Sequence, residues 1–408
     1  MYRALVRVLK AYRFRLEPSP AEARGLARVA GCCRFVFNRA LALERQRFER
    51  GEKHLGYAAL CKELTSWRRA PATAFLAEAP THPLQQALKD LDRAYRNFFE
   101  GRAERPRFKK KGRHDAFRYP DPKQFQVDDG HGRVKFPKLG WLRYRRSRAV
   151  SGTPKQLTLS REGGHWFVAI QTECELSAPV HPASSAVGVD LGVAKFAALS
   201  TGETFAPVSS LRKHAKKLAG AQRALSRKVK YSRNWRKQKA RIERLHTKVA
   251  RIRHDFLHKT STTISKTHAM VVLEDLSVRS MSRSARGTVD APGRHVRAKA
   301  GLNRSILDQG WGEFRRQVEY KQTWRGGLVL VVDPRNTSRT CPACGHVSAE
   351  NRKTQAVFLC VRCGHAADAD VNAARNILAA GHAVIACGER VQQGPSMKQE
   401  PAVSEAAA

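Results

Sequence analysis

From Cys341 to Ile377 the chain reads "CPACGHVSAENRKTQAVFLCVRCGHAADADVNAARNI", in which two CxxC pairs stand fifteen residues apart. Four thiolates on two tight knuckles make a closed tetrahedral site of the kind zinc takes, so Cys341, Cys344, Cys360 and Cys363 are the expected zinc ligands. The alternative, two disulfides, is disfavoured in a reducing compartment. With all four positions filled by protein, no place is left for water, and the expected role is structural. In finger peptides such binding supplies about 10–16 kcal/mol of local folding free energy. His346 and His365 read as bystanders. A few residues later come Asp368 and Asp370, hard oxygen donors at the start of a helical stretch. Soft and hard donor sets select different metals, so the acids need a separate explanation.

Charge indicates the partner. The 408 residues carry 76 Lys+Arg against 35 Asp+Glu, a formal net of +41. Solubility alone asks for a net charge of roughly 2–8 in a small domain. An excess this large calls for a polyanion, and nucleic acid provides one by releasing condensed counterions when its phosphates are neutralised. A membrane surface is the rival. No apolar run approaches the ~20 residues of a span, and Met1–Leu16 alternates basic with apolar residues, unlike a signal peptide. No membrane partner and an intracellular, cytoplasmic location are therefore expected. The remaining cysteines (Cys32, Cys33, Cys61, Cys174, Cys387) read as reduced, packed thiols.

Periodicity divides the chain. Met1–Leu16 alternates as a strand, and helical spacing follows from Ala21 to about Arg50 and again after Pro83. "RPRFKKKGRHDAFRY" (105–119) interleaves cations with aromatic rings, and Arg107, Phe108, Lys109, Lys110 and Lys111 are its candidate nucleic-acid contacts. A β-rich stretch follows, with a hairpin turning at Gly163-Gly164 and a proline-bearing linker at Pro179 and Pro182. "AVGVDLGVAKFAALSTGETFAP" (186–207) reads as three strands, the first ending in Asp190. Residues 211–250 hold fifteen Lys/Arg and one glutamate, which predicts a helical hairpin, broken near Tyr231–Asn234, with a basic outer face. "HAMVVLEDL" (268–276) is a strand ending in Glu274. A Gly/Ser/Arg-rich loop, one helix from about Ser305 to Trp324, a strand, the cysteine segment and a helix near Asp370 complete the order.

Taken singly, Asp190 reads as a turn residue, Glu274 as a strand-end surface residue and Asp368 as a helix cap. Together they form an ordered set, strand-D, strand-E, then D before a helix, within a β-β-β-α-β-α-β arrangement. If the first and fourth strands are neighbours, Asp190 and Glu274 emerge side by side and the last helix brings in Asp370. Clustered carboxylates repel unless hard cations separate them, and oxygen donors select Mg²⁺ or Mn²⁺. Two such ions about 4 Å apart support in-line phosphodiester hydrolysis.

The motifs "GVDLGVAKFAALSTGE", "VVLEDLSV", "QGWGEFRRQVEYKQTWRG", "NTSRTCPACG" and "CVRCGHAADADVNAARNIL", with "CCRFVFNRAL", "LDRAYRNFFEG" and "PRFKKKG" nearer the start, resemble the TnpB (OrfB) proteins of insertion sequences, which are compact relatives of type V CRISPR effectors. The resemblance spans nearly the whole chain. It implies a multidomain α+β and α/β protein with an N-terminal wedge β-barrel (1–17 and 101–180) interrupted by a helical recognition lobe (18–100). A RuvC-like nuclease of RNase H fold (183–333 and 365–391) follows, with a zinc ribbon inserted at 334–364 and a disordered tail at 392–408. It also implies Asp190, Glu274 and Asp370 as catalytic, Mg²⁺-binding acids, with Asp370 preferred over Asp368 because it directly precedes the x-N-A-A run. Arg339 departs from the glutamine common in relatives.

The implied activity is RNA-guided cleavage of double-stranded DNA beside a short flanking motif. The guide RNA comes from the transposon end, with one protein per guide, in a prokaryotic cytoplasm and on the nucleoid when DNA-bound. Direct transposition with strand transfer, and a nuclease-silent RNA-guided DNA-binding regulator, are the alternatives.

Overall fold

The computed structural model describes residues 5–113, 115–177 and 179–386; Cys387 and the 392–408 tail lie outside them. Two compact units meet at Ser177/Ala178.

In the first unit, strand β1 (Leu5–Arg15) and the residue after it bury Tyr12, Phe14 and Leu16 and expose Arg13 and Arg15, as period-2 alternation requires. Helix α1 (Pro20–Glu49) starts at a capping box in which Ser19 accepts from the Glu22 amide and Glu22 accepts from the Ser19 amide. Helices α2 (Tyr57–Arg69) and α3 (Thr81–Phe99) complete its helical part. Strands β2 (Ala116–Tyr119), β3 (Gln126–Asp128), β4 (Arg133–Phe136), β5 (Gly140–Arg143), β6 (Thr153–Glu162) and β7 (His165–Ser177) follow. The β6–β7 hairpin turns at Gly163-Gly164, both with positive φ. The ladders make one sheet ordered β1-β7-β6-β2 and another ordered β3-β4-β5, and a single bridge, Leu16–Tyr144, links them. Among the described residues these ladders do not close into a ring. Helices and strands of the unit share one apolar core.

The second unit is built on a five-stranded sheet. Its strands are β8 (Ala186–Leu191), β9 (Ala197–Leu199), β10 (Thr204–Phe205), β11 (Met270–Glu274) and β12 (Leu328–Val332), ordered β10-β9-β8-β11-β12. The first three are antiparallel, while β8, β11 and β12 run parallel. The first and fourth strands are thus neighbours, in register Val187↔Val271 and Val189↔Leu273.

Helices α4 (Ser210–Ser226) and α5 (Arg233–Thr267) form the basic hairpin, whose link holds Tyr231 at φ 68°. After the short α6 (Val278–Met281), the chain departs from expectation. Instead of a long loop and one helix there are two helices, α7 (Val296–Gln309) and α8 (Trp311–Arg325), hinged at Gly310 with φ 77°. Helical periodicity runs across that break, and only the left-handed glycine ends the first helix.

The sheet is covered on both faces, which is why its strands read as unbroken apolar runs. Val187, Val189, Val271 and Leu273 pack with Leu257 and Ile264 of α5 and Phe314 and Val318 of α8. Val272, Leu330 and Val332 pack with Ile377 of the last helix, α9 (Ala369–Ala386). Between β12 and α9 lies the cysteine segment, with the two-stranded ladder β13 (Val357–Leu359) and β14 (Ala366–Asp368). Strand β14 ends where α9 begins. Among the described residues no helix is long and apolar enough to cross a membrane.

α9 lies directly on β8. A Cβ at Gly188 would stand 2.0 Å from the Ala374 carbonyl oxygen and 2.7 Å from the Leu378 amide nitrogen. Both neighbours are backbone and have no rotamer to change. Gly188→Ala is therefore expected to cost about 1–3 kcal/mol, the usual range for an overpacked core. Thermal unfolding should show a midpoint lowered by several degrees, and an unchanged midpoint would mean that α9 is not seated this way.

Candidate active site and the adjoining metal centre

Alternation along the parallel strands decides where the acids point. With Val187 and Val189 facing α5 and α8, Gly188 and Asp190 face α9. With Val271 and Leu273 on that first side, Val272 and Glu274 face α9 as well. Asp190 and Glu274 each follow the last pair between β8 and β11, Val189↔Leu273, near the carboxyl edge of the sheet. Asp370 sits in the first turn of α9, above that same edge. Burial, then the charges of Glu274 and Asp370, push the Asp190 carboxyl up to about 7, with Arg352 acting in the opposite sense. Burial also raises Glu274, against a hydrogen bond from Thr337 and the charge of Arg352. Three acids distant in sequence therefore feel one another across one pocket.

Sequence reasoning missed the residues that hold them. Thr337 Oγ1 donates to Glu274 Oε1 at 2.6 Å. Asn376 Nδ2 donates to the carbonyls of Thr337 and Thr340, each at 2.7 Å, and Asn372 Nδ2 to that of Thr340 at 3.2 Å. The x-N-A-A run now has a physical account. Its asparagine anchors the chain entering the cysteine segment, and its two alanines are small enough for α9 to lie close on the sheet. Asp368 takes the capping role, its Oδ1 accepting the amides of Asp370 and Val371 at 3.1 Å each. Lys195, from the β8–β9 turn, lies 2.7 Å from Asp368 and 3.5 Å from Asp370. Arg352 Nη2 donates to Asp370 Oδ1 at 3.1 Å. Lone basic residues in loops carry no periodic signal, so nothing in the sequence marked either one.

The cysteine segment is built as two matching knuckles. Gly345 and Gly364, each directly after its CxxC pair, have φ of 71° and 75°, a conformation that favours glycine. Their amides donate to the carbonyls of Cys341 and Cys360 at 2.9 Å. The four Sγ atoms lie within 4.8 Å of one another, with Cys341–Cys363 and Cys344–Cys360 each at 3.6 Å. A disulfide would need ~2.05 Å, whereas four sulfurs at ~2.3 Å from a tetrahedral ion stand about 3.8 Å apart. The geometry fits a metal. His346 and His365 contribute backbone carbonyls to the knuckle amides.

Among the described residues this is the only group of three or more His, Cys, Asp or Glu side chains close enough to share one ion. Asp190, Glu274 and Asp370 share the carboxyl edge of the sheet, with their oxygens farther apart than that.

The basic candidates 107–111 belong to the first unit. Arg107 pairs with Glu104. Phe108 is exposed and lies under the Arg45 guanidinium, 4.5 Å from the ring centre. The Lys109 main chain is locked to the Asn38 side chain at 2.8 and 2.9 Å, and its ammonium sits 4.1 Å from the centre of the Phe37 ring. Lys110 and Lys111 are exposed.

A sheet with acids at its carboxyl edge, joined to a four-cysteine ribbon, makes a mixed α/β fold similar to that of Cas12 effectors. Over 91% of this chain and 98% of the other, it superposes with TM-score 0.57 and 13% identity on a chain solved as the "Cas12f1-sgRNA-target DNA complex". Sequence profiles match a family described as "Probable transposase" at residues 167–285, a Cas12f1-like TNB domain at 311–377 and a "Helix-turn-helix domain" at 6–53. That last stretch folds as β1 and the single helix α1. The chain is 57% identical, over 96% of its length and 97% of the relative's, to "Putative RNA-guided DNA endonuclease InsQ" of Escherichia coli strain K12. It is 34% identical, over 97% and 96%, to a "Putative RNA-guided DNA endonuclease" of Streptomyces pristinaespiralis. The chain belongs to this TnpB (OrfB) family.

Two measurements test the two centres. Cys341→Ser should lose the bound zinc equivalent, read by elemental analysis, and lower the folded yield. Thr337→Val, which keeps the shape and removes the donor to Glu274, should slow single-turnover DNA cleavage by about 10–100-fold under the reading that Glu274 ligates a catalytic ion.

Proposed function

We propose that the protein is an RNA-guided DNA endonuclease that cuts phosphodiesters at a RuvC-like site of RNase H type, made by Asp190, Glu274 and Asp370. A guide RNA from the transposon end pairs with one strand of double-stranded target DNA beside a short flanking motif. The observation that carries this reading is the meeting of Asp190, Glu274 and Asp370 at one edge of one sheet. The donor set supports it. These are hard oxygens, gathered at one sheet edge and partly buried, and such donors favour Mg²⁺ or Mn²⁺ over softer ions.

When bound, a pair of such ions supplies a nucleophilic water and neutralises the charge that develops on the leaving oxygen. The chain's own contribution is positioning. β8 and β11 hold Asp190 and Glu274 on rigid, fully covered strands. Thr337 fixes the rotamer of Glu274, and the Asp368 cap orients the first turn of α9 and with it Asp370. The four cysteines hold structural zinc away from this pocket. In the first unit, exposed Phe108, Lys110 and Lys111 offer a stacking face and cations to a nucleic-acid backbone, with Arg107 and Lys109 shaping the loop. The intact acids weigh against a nuclease-silent regulator.

The test uses protein purified with its copurifying RNA, and that RNA is sequenced to define the guide. Matched, correctly flanked duplex DNA should be cut in Mg²⁺. Asp190→Ala should reduce cutting by at least about 100-fold, as expected for loss of a catalytic group, while binding RNA as the parent does. A complex that leaves matched DNA intact, or an Asp190→Ala variant that still cuts it, would overturn the reading.

A further inference from the structure

The cysteine segment reaches the acidic pocket through Arg352. That residue caps a short turn at Ala349–Asn351, midway between the cysteine pairs. Its neighbour Asn351 is fully buried, donates to the carbonyls of Arg339 and His346 at 2.9 and 3.1 Å, and accepts the Val361 amide at 3.0 Å. Asn351 thereby ties together three segments of the ribbon, and the residue after it is held in place. The Arg352 guanidinium is anchored on the Gln355 carbonyl at 3.2 Å and donates to Asp370 at 3.1 Å. Its charge also acts on Asp190 and Glu274. From the core side, Lys195 approaches the same Asp370 carboxylate through the other oxygen.

We propose that Arg352, carried by the ribbon, and Lys195, carried by the β8–β9 turn, are built-in cations that hold the acidic pocket together before ion loading and must be displaced from Asp370 when divalent ions enter. This rests on the assignment of Asp190, Glu274 and Asp370 as ion ligands. A guanidinium on Asp370 Oδ1 and a divalent ion at the same carboxylate compete for its lone pairs and repel as like charges. Ion affinity is therefore reduced by the strength of the contacts that must break. The ribbon then does more than stand beside the pocket: it sets how readily the pocket loads.

The experiment is calorimetric titration of Mn²⁺ into zinc-loaded, full-length protein, with zinc content and thermal midpoint confirming the fold of each variant. Arg352→Gln should bind Mn²⁺ about tenfold more tightly, the equivalent of one charge-assisted hydrogen bond released. Arg352→Lys, which keeps the charge, should stay near the parent. Lys195→Gln, outside the ribbon, should also bind several-fold more tightly, so the idea remains testable if Arg352→Gln loses zinc. Unchanged or weaker Mn²⁺ binding in folded Arg352→Gln and Lys195→Gln overturns the proposal. Asp370→Asn separates the two readings. Loss of Mn²⁺ binding in that variant supports the acidic site whatever Arg352 does, and parent-like binding removes the site and this proposal together.

Discussion

The second unit depends on the seating of α9 against β8 at Gly188. Because the helix backbone touches the strand there, one glycine sets both the height and the axial position of the helix. Gly381 allows a second close approach, since a Cβ at that position would lie 2.5 Å from a methyl of Val272 on β11. With the helix pinned over two parallel strands, its first turn overhangs their carboxyl ends. Asp370 has no freedom to drift away from Asp190 and Glu274. The site is thus a consequence of backbone packing, and its side chains are placed by elements that move only if the core moves.

Electrostatics works against that placement. Burial, then the charges of Glu274 and Asp370, raise the proton affinity of Asp190 to about 7. The fold answers with hydrogen-bond donors and cations from three directions: Thr337 from the segment after β12, Lys195 from the β8–β9 turn and Arg352 from the ribbon. None of these comes from α9, whose N-terminal amides are already committed to Asp368. Glu274 thus has the Thr337 hydroxyl as its donor, and Asp370 has two cations, Arg352 and Lys195, one on each oxygen.

Much of this was legible in the residues, and the boundary of legibility has a physical basis. The CxxC spacing named the soft site because four thiolates have few other uses inside a cell. The short apolar runs in "AVGVDL" and "MVVLE" marked buried strands and put an acid at the end of each. Local pattern failed where a single dihedral decides. Helical periodicity runs through Gly310, so two helices were read as one, and residues from Val296 onward were taken for loop. Side-chain cations from loops were also invisible, because Arg352 and Lys195 differ from dozens of other basic residues only in where the fold delivers them. The motif at 105–113 was visible as charge and aromaticity. Its internal division of labour, with Lys109 locked to Asn38 and Phe108 exposed, comes from tertiary contacts.

The adjacency of a soft and a hard donor set, which the sequence posed as a puzzle, follows from chain direction. β14 leaves the second knuckle at Cys363 and reaches Asp368 within five residues, so whatever orders the knuckle also orders the entry to α9. Phe358 and Ala369 pack in one cluster with Cys341 and Cys360, and the Ala369 amide donates to the Ala356 carbonyl at 3.0 Å. The ribbon and the helix start are therefore one packed element. A short ribbon cannot bury enough apolar surface to be rigid unaided, and a metal bound by four thiolates supplies the missing rigidity. Thiolate sulfur discriminates strongly against magnesium, and buried carboxylates at ordinary ionic conditions favour it. On the proposed reading the two donor sets lie one short strand apart and select different metals, the soft one ordering the helix start that carries Asp370.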